Sequence, residues 1–483
     1  MSEINSEAQV REALQKYWGY DQLRSPQGEV IQSLISGQDT LIVMPTGGGK
    51  SLCFQLPALL QTGLTLVISP LVALMENQVQ ELRAKSLPAA TLHSELSSQQ
   101  KQQTYQALSQ QKLRLLYLSP ETLLSQKVWE ILIQPQIIIN GLILDEAHCL
   151  VQWGDTFRPA YRRLGAVRST LLAQKPSQKS LAIAAFTATA DPLAQAQLKQ
   201  VLKLQQPQEF LLNPYRSNLH LQIQTIWTPR GRKEKMRKFI QSQGQRSGLV
   251  YVRSRRDSEE ISQWCQDGGY KAAAYHAGLG ASQRRAIEQQ WLTDQIQFVV
   301  CTSAFGMGIN KPDVRWVVHY QAPQLLSEYI QEVGRGGRDG QPAQALTLVS
   351  EPTGWLEPSD KQRQEFFATQ TQKQYQKAAK LAQKLPLAGS IDEVIRGNPD
   401  GAIALGLLHS LGALTWTDPF TYQRQAKFNP QAWQKLQQTQ QQIPLAMQKY
   451  LTIKTCRWQF ILQSFGFKKD AQGMRCGHCD NCK

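Results

Sequence analysis

Ten short apolar runs, in two groups of five, constrain this chain more than any other feature. The first group is TLIVM (Thr40–Met44), TLVIS (Thr65–Ser69), LRLLYL (Leu113–Leu118), GLILD (Gly141–Asp145) and LAIAAF (Leu181–Phe186). The second is GLVYV (Gly248–Val252), KAAAYH (Lys271–His276), FVVCT (Phe298–Thr302), VRWVVHY (Val314–Tyr320) and ALTLVS (Ala345–Ser350). Turn-bounded runs separated by longer amphipathic stretches read as parallel strands with helices on both faces. The pattern pauses around LQQPQEFLLNPYRSN, which predicts a boundary there. The expected fold class is α/β, with two parallel-sheet lobes in tandem over residues 1–205 and 206–352 and a cleft between them. Ligands of such sheets bind beyond the carboxyl ends of the strands.

From about Glu357 the character changes. KQRQEFFATQTQKQYQKAAKLAQKL reads as a polar helix, and GAIALGLLHSLGALTWTDPFTYQRQ as an apolar helix followed by a hairpin around Thr417–Pro419. Helix plus hairpin is compatible with a small winged-helix-like insertion, or with a helical spacer, over residues 353–445. Residues 446–483 hold four of the eight cysteines.

Composition narrows the partners. An apolar fraction of 41% supports globular packing, and a formal net charge of +16 favours a polyanion, nucleic acid ahead of membrane. MSEINSEAQVREALQKYW lacks the apolar core of a signal peptide, and no apolar run approaches the ~18 residues of a membrane span. A soluble, intracellular protein is expected, in which clustered cysteines point to metal before disulfides.

MPTGGGKS (Met44–Ser51) follows the first run and opens a helix at SLCFQL. Glycines let backbone N–H groups approach phosphate oxygens, and a helix N-terminus adds positive potential. Thr46, Gly47, Gly48 and Gly49 would form the cradle, Lys50 would reach the β- and γ-phosphates, and Ser51 would ligate Mg²⁺. Met44 stands where the strict pattern has glycine; a chance Gly-rich turn is the alternative. LILDEAH (Leu142–His148) ends the fourth run, where Asp145 would hold Mg²⁺ and Glu146 would polarise the attacking water. Alone, such a carboxylate pair is often a solvated strand end. In QEVGRGGRDG (Gln331–Gly340), Arg335 and Arg338 resemble transition-state fingers, half a site that closure of the lobes would complete.

Together these motifs resemble a superfamily 2 helicase and, more narrowly, the RecQ family, from Tyr17 to Ser350 and again at the C-terminal cysteines. The resemblance implies two RecA-like lobes, ATP as nucleotide and DNA as partner. YWGYDQLRSPQ (Tyr17–Gln27) is similar to the family's adenine-reading motif. On that likeness Tyr20 stacks on the base, Gln27 bonds its edge and Arg24 supports the nucleotide. VISPLVALM and LSPETLL resemble first-lobe nucleic-acid motifs, FTATAD the motif coupling hydrolysis to movement, and FGMGINKPDVRWVVHY the fifth motif. Ser69, Ser119 and Thr302 then suit phosphate contacts, and Gln331 joins Arg335 and Arg338 in the final motif. CLVQWGDTFRPAYRRLG (Cys149–Gly165) stands where the family carries an aromatic-rich loop that senses single-stranded DNA. Trp153 and Phe157 would stack on bases and Arg158 would add charge. Asp155 occupies the family's histidine position.

Cys456, Cys476, Cys479 and Cys482 suit a tetrahedral, structural Zn²⁺ as in the family's zinc module, with Cys-x-x-Cys redox chemistry as the rival. Longer members place zinc directly after the motor; here about a hundred residues precede it, as in short bacterial RecQ-like proteins. The resemblance implies an ATP-dependent DNA helicase of 3′→5′ polarity, acting as a cytoplasmic, nucleoid-associated monomer on single-stranded, forked or branched DNA. Single-strand-binding and recombination proteins would be its partners. An RNA helicase and a non-catalytic DNA-binding zinc protein with a vestigial motor are the rivals.

Overall fold

The computed structural model describes residues 7–153, 158–306, 309–425, 430–442 and 444–482. It divides into two compact units, each assembled from two separated stretches of chain: residues 1–212 with 373–437, and 213–372 with 438–483.

The first unit is built on a seven-stranded parallel sheet. Its strands are β1 (Thr40–Val43), β2 (Leu64–Ile68), β3 (Ala89–Leu92), β4 (Leu115–Leu118), β5 (Ile139–Leu144), β6 (Ala182–Thr187) and β7 (Gln208–Leu211), in the order β3-β4-β2-β5-β6-β1-β7. β1, β2, β4 and β6 are buried along their whole length, the reason they read as continuous apolar runs rather than alternating ones. Separate apolar clusters cover the two faces. Two strands escape the apolar-run pattern. β3 (AATL) is short and Ala-rich, and β7 lies inside the stretch expected to separate the lobes, so the first unit continues to Leu212.

The second unit holds a six-stranded parallel sheet of β8 (Leu219–Ile226), β9 (Gly248–Tyr251), β10 (Ala272–Tyr275), β11 (Phe298–Cys301), β12 (Trp316–His319) and β13 (Ala343–Ser350), ordered β10-β11-β9-β12-β13-β8. Gly248 on β9 is obligatory, because a Cβ there would overlap the Trp316 indole. The edge strand β8 pairs with β13 along its full length and packs on the cysteine-rich segment. Leu219, Leu221, Tyr329, Tyr450, Trp458 and Cys479 share one cluster.

The segment after the second sheet is split. Its long helix Ser359–Lys384 begins in the second unit and ends in the first. There follow β14 (Ala388–Ser390), the helices Ile391–Gly397 and Gly401–Ser410, and the hairpin β15 (Leu414–Trp416)–β16 (Thr421–Arg424). The antiparallel order β14-β16-β15 gives this module the helix–strand–helix–helix–strand–strand topology of a winged helix. Its core of Tyr375, Ala382, Leu405, Leu408, Trp416 and Tyr422 extends to Ala166 of the 3-10 helix Pro159–Ala166 in the lobe. Among the described residues, no helix is long and apolar enough to cross a membrane.

Candidate functional site

β1 runs into the loop Met44–Gly49, and the helix Lys50–Leu60 starts at its end. Gly47 and Gly49 have φ of +85° and +79°, the left-handed region that favours glycine. A Cβ on Gly49 would also strike the Gln27 amide 2.4 Å away. Lys50 Nζ donates to Met44 O at 3.0 Å, so the ammonium is folded back over the loop it opens from. The geometry is one that backbone N–H groups and a lysine can turn toward phosphate.

The preceding motif is tied to this loop through Gln27. Its Nε2 donates to Gly48 O at 3.0 Å and its Oε1 accepts from Arg24 N at 2.9 Å. One N–H and one lone pair of the amide remain for a base edge. Tyr20 is 56% exposed, so its ring is open to a stacking partner.

Asp145 follows β5, two strands from β1 in the sheet. Burial, then the neighbouring Glu146 charge, push its carboxyl up to about 7, while Lys50 opposes them. Lys50 and the two carboxylates therefore share one electrostatic field at the carboxyl ends of the strands. Glu146 sits at φ +51°, a strained position for a residue with a Cβ. His148 Nδ1 lies 3.2 Å from Glu146 Oε2 and 3.0 Å from Thr187 Oγ1, at the end of β6. Gln78 Nε2 donates to Asp145 Oδ2 at 3.4 Å. Sequence reasoning missed Gln78, His148 and Thr187 as individuals. His148 and Thr187 lay inside segments already quoted, DEAH and FTATA, and only their meeting in space marks them.

The expected DNA contacts are placed unevenly. Ser119 is half-buried and caps the helix Pro120–Leu123, accepting from Thr122 N at 3.2 Å. Thr302 is half-buried at the end of β11. Arg158 begins the 3-10 helix, its Nη1 3.8 Å from Glu121 Oε2. Ser69 requires a correction: it is fully buried at the end of β2, so its hydroxyl cannot meet a phosphate in this conformation. Phe157 and the side chain of Trp153 lie outside the described residues.

In the second unit Gln331 lies on the helix Leu326–Val333, which leads into the arginine segment. Arg335 is buried and donates through Nη1 to Gly306 O; Arg338 Nη1 donates to Asn310 Oδ1 at 3.0 Å. Between Gln331 and Arg335, Glu332 receives both guanidinium nitrogens of Arg253 at 3.0 and 2.7 Å, and His319 Nε2 lies 2.9 Å from it. Burial would raise the Glu332 carboxyl, but Arg253 and His319 outweigh it and hold it down at about 2. Arg253 lies outside the quoted segments, and His319, within the fifth-motif stretch, was not singled out.

Cys456, Cys476, Cys479 and Cys482 converge, their sulfurs all within 4.8 Å of one another. Thiolates around one Zn²⁺ stand ~3.8 Å apart at tetrahedral Zn–S lengths, so this donor set fits zinc with little adjustment. Backbone N–H groups already point at the sulfurs: Arg457 N to Cys479 Sγ and Cys476 N to Cys456 Sγ, each 3.4 Å. Gly477, at φ +76°, makes the turn between two ligands. Asp480 bonds Arg457 Nε at 2.8 Å and accepts from Ile223 N of β8 at 2.8 Å, fastening the cluster to the sheet edge. Cys53, Cys149, Cys265 and Cys301 are buried and stand apart from this cluster.

Comparison with known proteins follows the same division. A DEAD/DEAH box helicase model matches residues 24–197, a helicase conserved C-terminal domain model residues 231–340, and a RecQ zinc-binding model residues 421–483. The chain is 53% identical over 475 residues to the ATP-dependent DNA helicase RecQ of Synechocystis sp., covering 98% of each. It is 39% identical over 359 residues to the protein of the same name from Haemophilus influenzae, covering 74% of this chain and 56% of that one. Among solved structures, S. cerevisiae Dbp5 bound to RNA and ADP BeF3 has a TM-score of 0.58 at 15% identity, covering 75% of this chain and 92% of that one. The helicase MrfA bound to DNA has a TM-score of 0.59 at 18% identity, covering 90% and 64%. At those identities the two structures speak for the fold alone, a pair of RecA-like lobes. With near-complete coverage at 53% identity, both helicase domains and a RecQ zinc-binding module, the chain belongs to the RecQ family of ATP-dependent DNA helicases.

Proposed function

We propose that this chain is a 3′→5′ DNA helicase that opens forked or branched DNA in recombination and repair, working as a monomer at the nucleoid. The observation that carries the reading is that Lys50, after β1, and Asp145 and Glu146, after β5, all stand at the carboxyl ends of strands of one parallel sheet. Lys50 and the Gly47–Gly49 backbone grip the β- and γ-phosphates; Ser51 and Asp145 hold Mg²⁺; Glu146 orients the attacking water. Tyr20, Arg24 and Gln27 select the adenine. Gln331, Arg335 and Arg338 complete the charge stabilisation during turnover, so that ATP favours a closed state and hydrolysis a release.

Ser119, Arg158 and Thr302, with Trp153 and Phe157, contact the strand through phosphates and base faces and carry no sequence preference. The excess of positive charge adds counterion release, so binding weakens steeply with salt. Zinc is structural: four thiolates leave no position for water.

The test is Mg²⁺-dependent ATP hydrolysis with and without a single DNA strand, followed by unwinding of duplexes bearing a 3′ or a 5′ tail. Stimulation by DNA and opening of the 3′-tailed substrate are expected. Equal stimulation by a matched RNA strand would favour the RNA reading, and absence of hydrolysis would leave a vestigial motor.

A further inference from the structure

A winged helix offers duplex DNA two surfaces, its third helix in the major groove and its wing. In this chain both are covered by the lobe of the same unit. The third helix, Gly401–Ser410, carries no lysine, arginine or carboxylate. Leu405, Leu407 and Leu408 are buried, and the helix packs on the 3-10 helix Pro159–Ala166. Its one titratable residue, His409, is held down at about 4 by burial and by Arg162 and Lys203 of the lobe. The wing is seated as well. Phe420 meets Trp129 edge to face at 5.2 Å, and Arg163 Nε donates to Pro419 O at 2.7 Å with its guanidinium 5.9 Å from the Phe420 ring.

Charge points the same way. Past its first helix, residues 386–425 hold Asp392, Glu393, Asp400 and Asp418 against Arg396 and Arg424; the module's lysines, Lys373, Lys377, Lys380 and Lys384, lie on the first helix, where Lys377 pairs with Asp400. Arg424 is spent on the carbonyl of Leu385. The third helix and the wing therefore offer phosphate little positive charge. The surface the module covers leads to two of the proposed DNA contacts. The 3-10 helix begins at Arg158 and packs on the helix Pro120–Leu123, whose N-cap is Ser119.

We propose that the winged-helix module is an internal brace: it positions the 3-10 helix beneath Ser119 and Arg158 and does not itself read duplex DNA. Arg163 and Phe420 are its positioning residues. The proposal rests on the DNA-translocating function argued above.

The experiment titrates the ATPase of the full chain with an oligothymidylate. Phe420→Ala and Arg163→Gln should each raise the half-saturating concentration about ten-fold while the maximal and DNA-free rates stay within about two-fold. Phe420→Tyr and Arg163→Lys should restore it. Hydrogen exchange of the amides in 159–166 should rise in the first pair of variants only. Arg396→Glu, on the exposed face of the module, should leave affinity for a blunt duplex within about two-fold. An unchanged half-saturating concentration in Phe420→Ala and Arg163→Gln overturns the brace. So does a loss of duplex affinity of about ten-fold in Arg396→Glu, which makes the module a DNA reader. A wild-type chain without DNA-stimulated turnover strikes instead at the proposed function.

Discussion

His148 and Thr187 join the ends of two adjacent strands: the imidazole Nδ1 lies 3.0 Å from the threonine Oγ1, and the same nitrogen is 3.2 Å from Glu146. Thr187 Oγ1 in turn accepts from Thr189 N at 3.2 Å, within the FTATAD segment. The residue proposed to orient water is thus held by a group that also feels the turn after β6. A hydroxyl at that turn is the simplest link between hydrolysis and strand movement.

Thr187→Val keeps the shape and removes the hydroxyl. It should leave ATP affinity within about two-fold and lower DNA-stimulated turnover by ~10–100-fold, since His148 loses the hydroxyl that helps hold it against Glu146. Steady-state kinetics with and without DNA separate the two effects; a normal turnover number would show that the contact is only packing.

Lys50→Ala removes the one ammonium aimed into the loop from its own helix. Hydrolysis should fall by at least ~10²-fold, as for loss of a principal charge stabiliser, while DNA binding persists. Phosphate release and fluorescence anisotropy on the same preparation check both halves of the expectation.

Asp145 links the site to pH. Its carboxyl titrates at about 7 in the fold instead of 3.8, chiefly through burial. Below the unfolded value both states hold a neutral acid, and burial carries no charge penalty. As pH rises toward 7 the penalty grows, and above it the folded chain must keep a buried carboxylate. Asp145→Asn should therefore stabilise the metal-free chain at about pH 8, by an amount on the order of a few kcal/mol, with the gain shrinking toward about pH 4. Thermal melts across that range test the sign.

Glu332→Gln leaves Arg253 buried without its bidentate partner. The expected cost is ~3–5 kcal/mol in denaturant unfolding of the second unit, the range for breaking one side of a buried ion pair. A cost under about 1 kcal/mol would mean that solvent reaches the pair.

Removing zinc with a chelator, or replacing Cys479 by serine, should loosen the second unit and spare the first. Asp480 bonds both Arg457 and Ile223 N, so loss of the cluster should expose the amides of β8 to exchange. Hydrogen exchange reads both units at once.

The strand runs were legible because parallel strands buried on both faces must be apolar throughout; β3 and β7, short and partly polar, and the edge strand β8, with polar residues at alternate positions, gave no such signal. The Gly-rich turn into the helix at Lys50 was legible because its pattern is local: glycines, lysine and serine stand within one turn of chain. The cysteines were legible because metal geometry limits ligand spacing. Ser69 shows the opposite case, a plausible hydroxyl in the right motif whose burial only the packed sheet reveals.

The order of residues by itself determined the two parallel-sheet lobes, the nucleotide loop, the DEAH carboxylates and the zinc ligands, since each depends on periodicity or on neighbours along the chain. Tertiary structure alone decided that His148 meets Thr187, that Arg253 neutralises Glu332, and that the winged-helix module closes on the 3-10 helix of its lobe rather than standing free. Those contacts join residues dozens to hundreds of positions apart. Packing and the desolvation of charge select them, and neither leaves a repeating mark in the sequence.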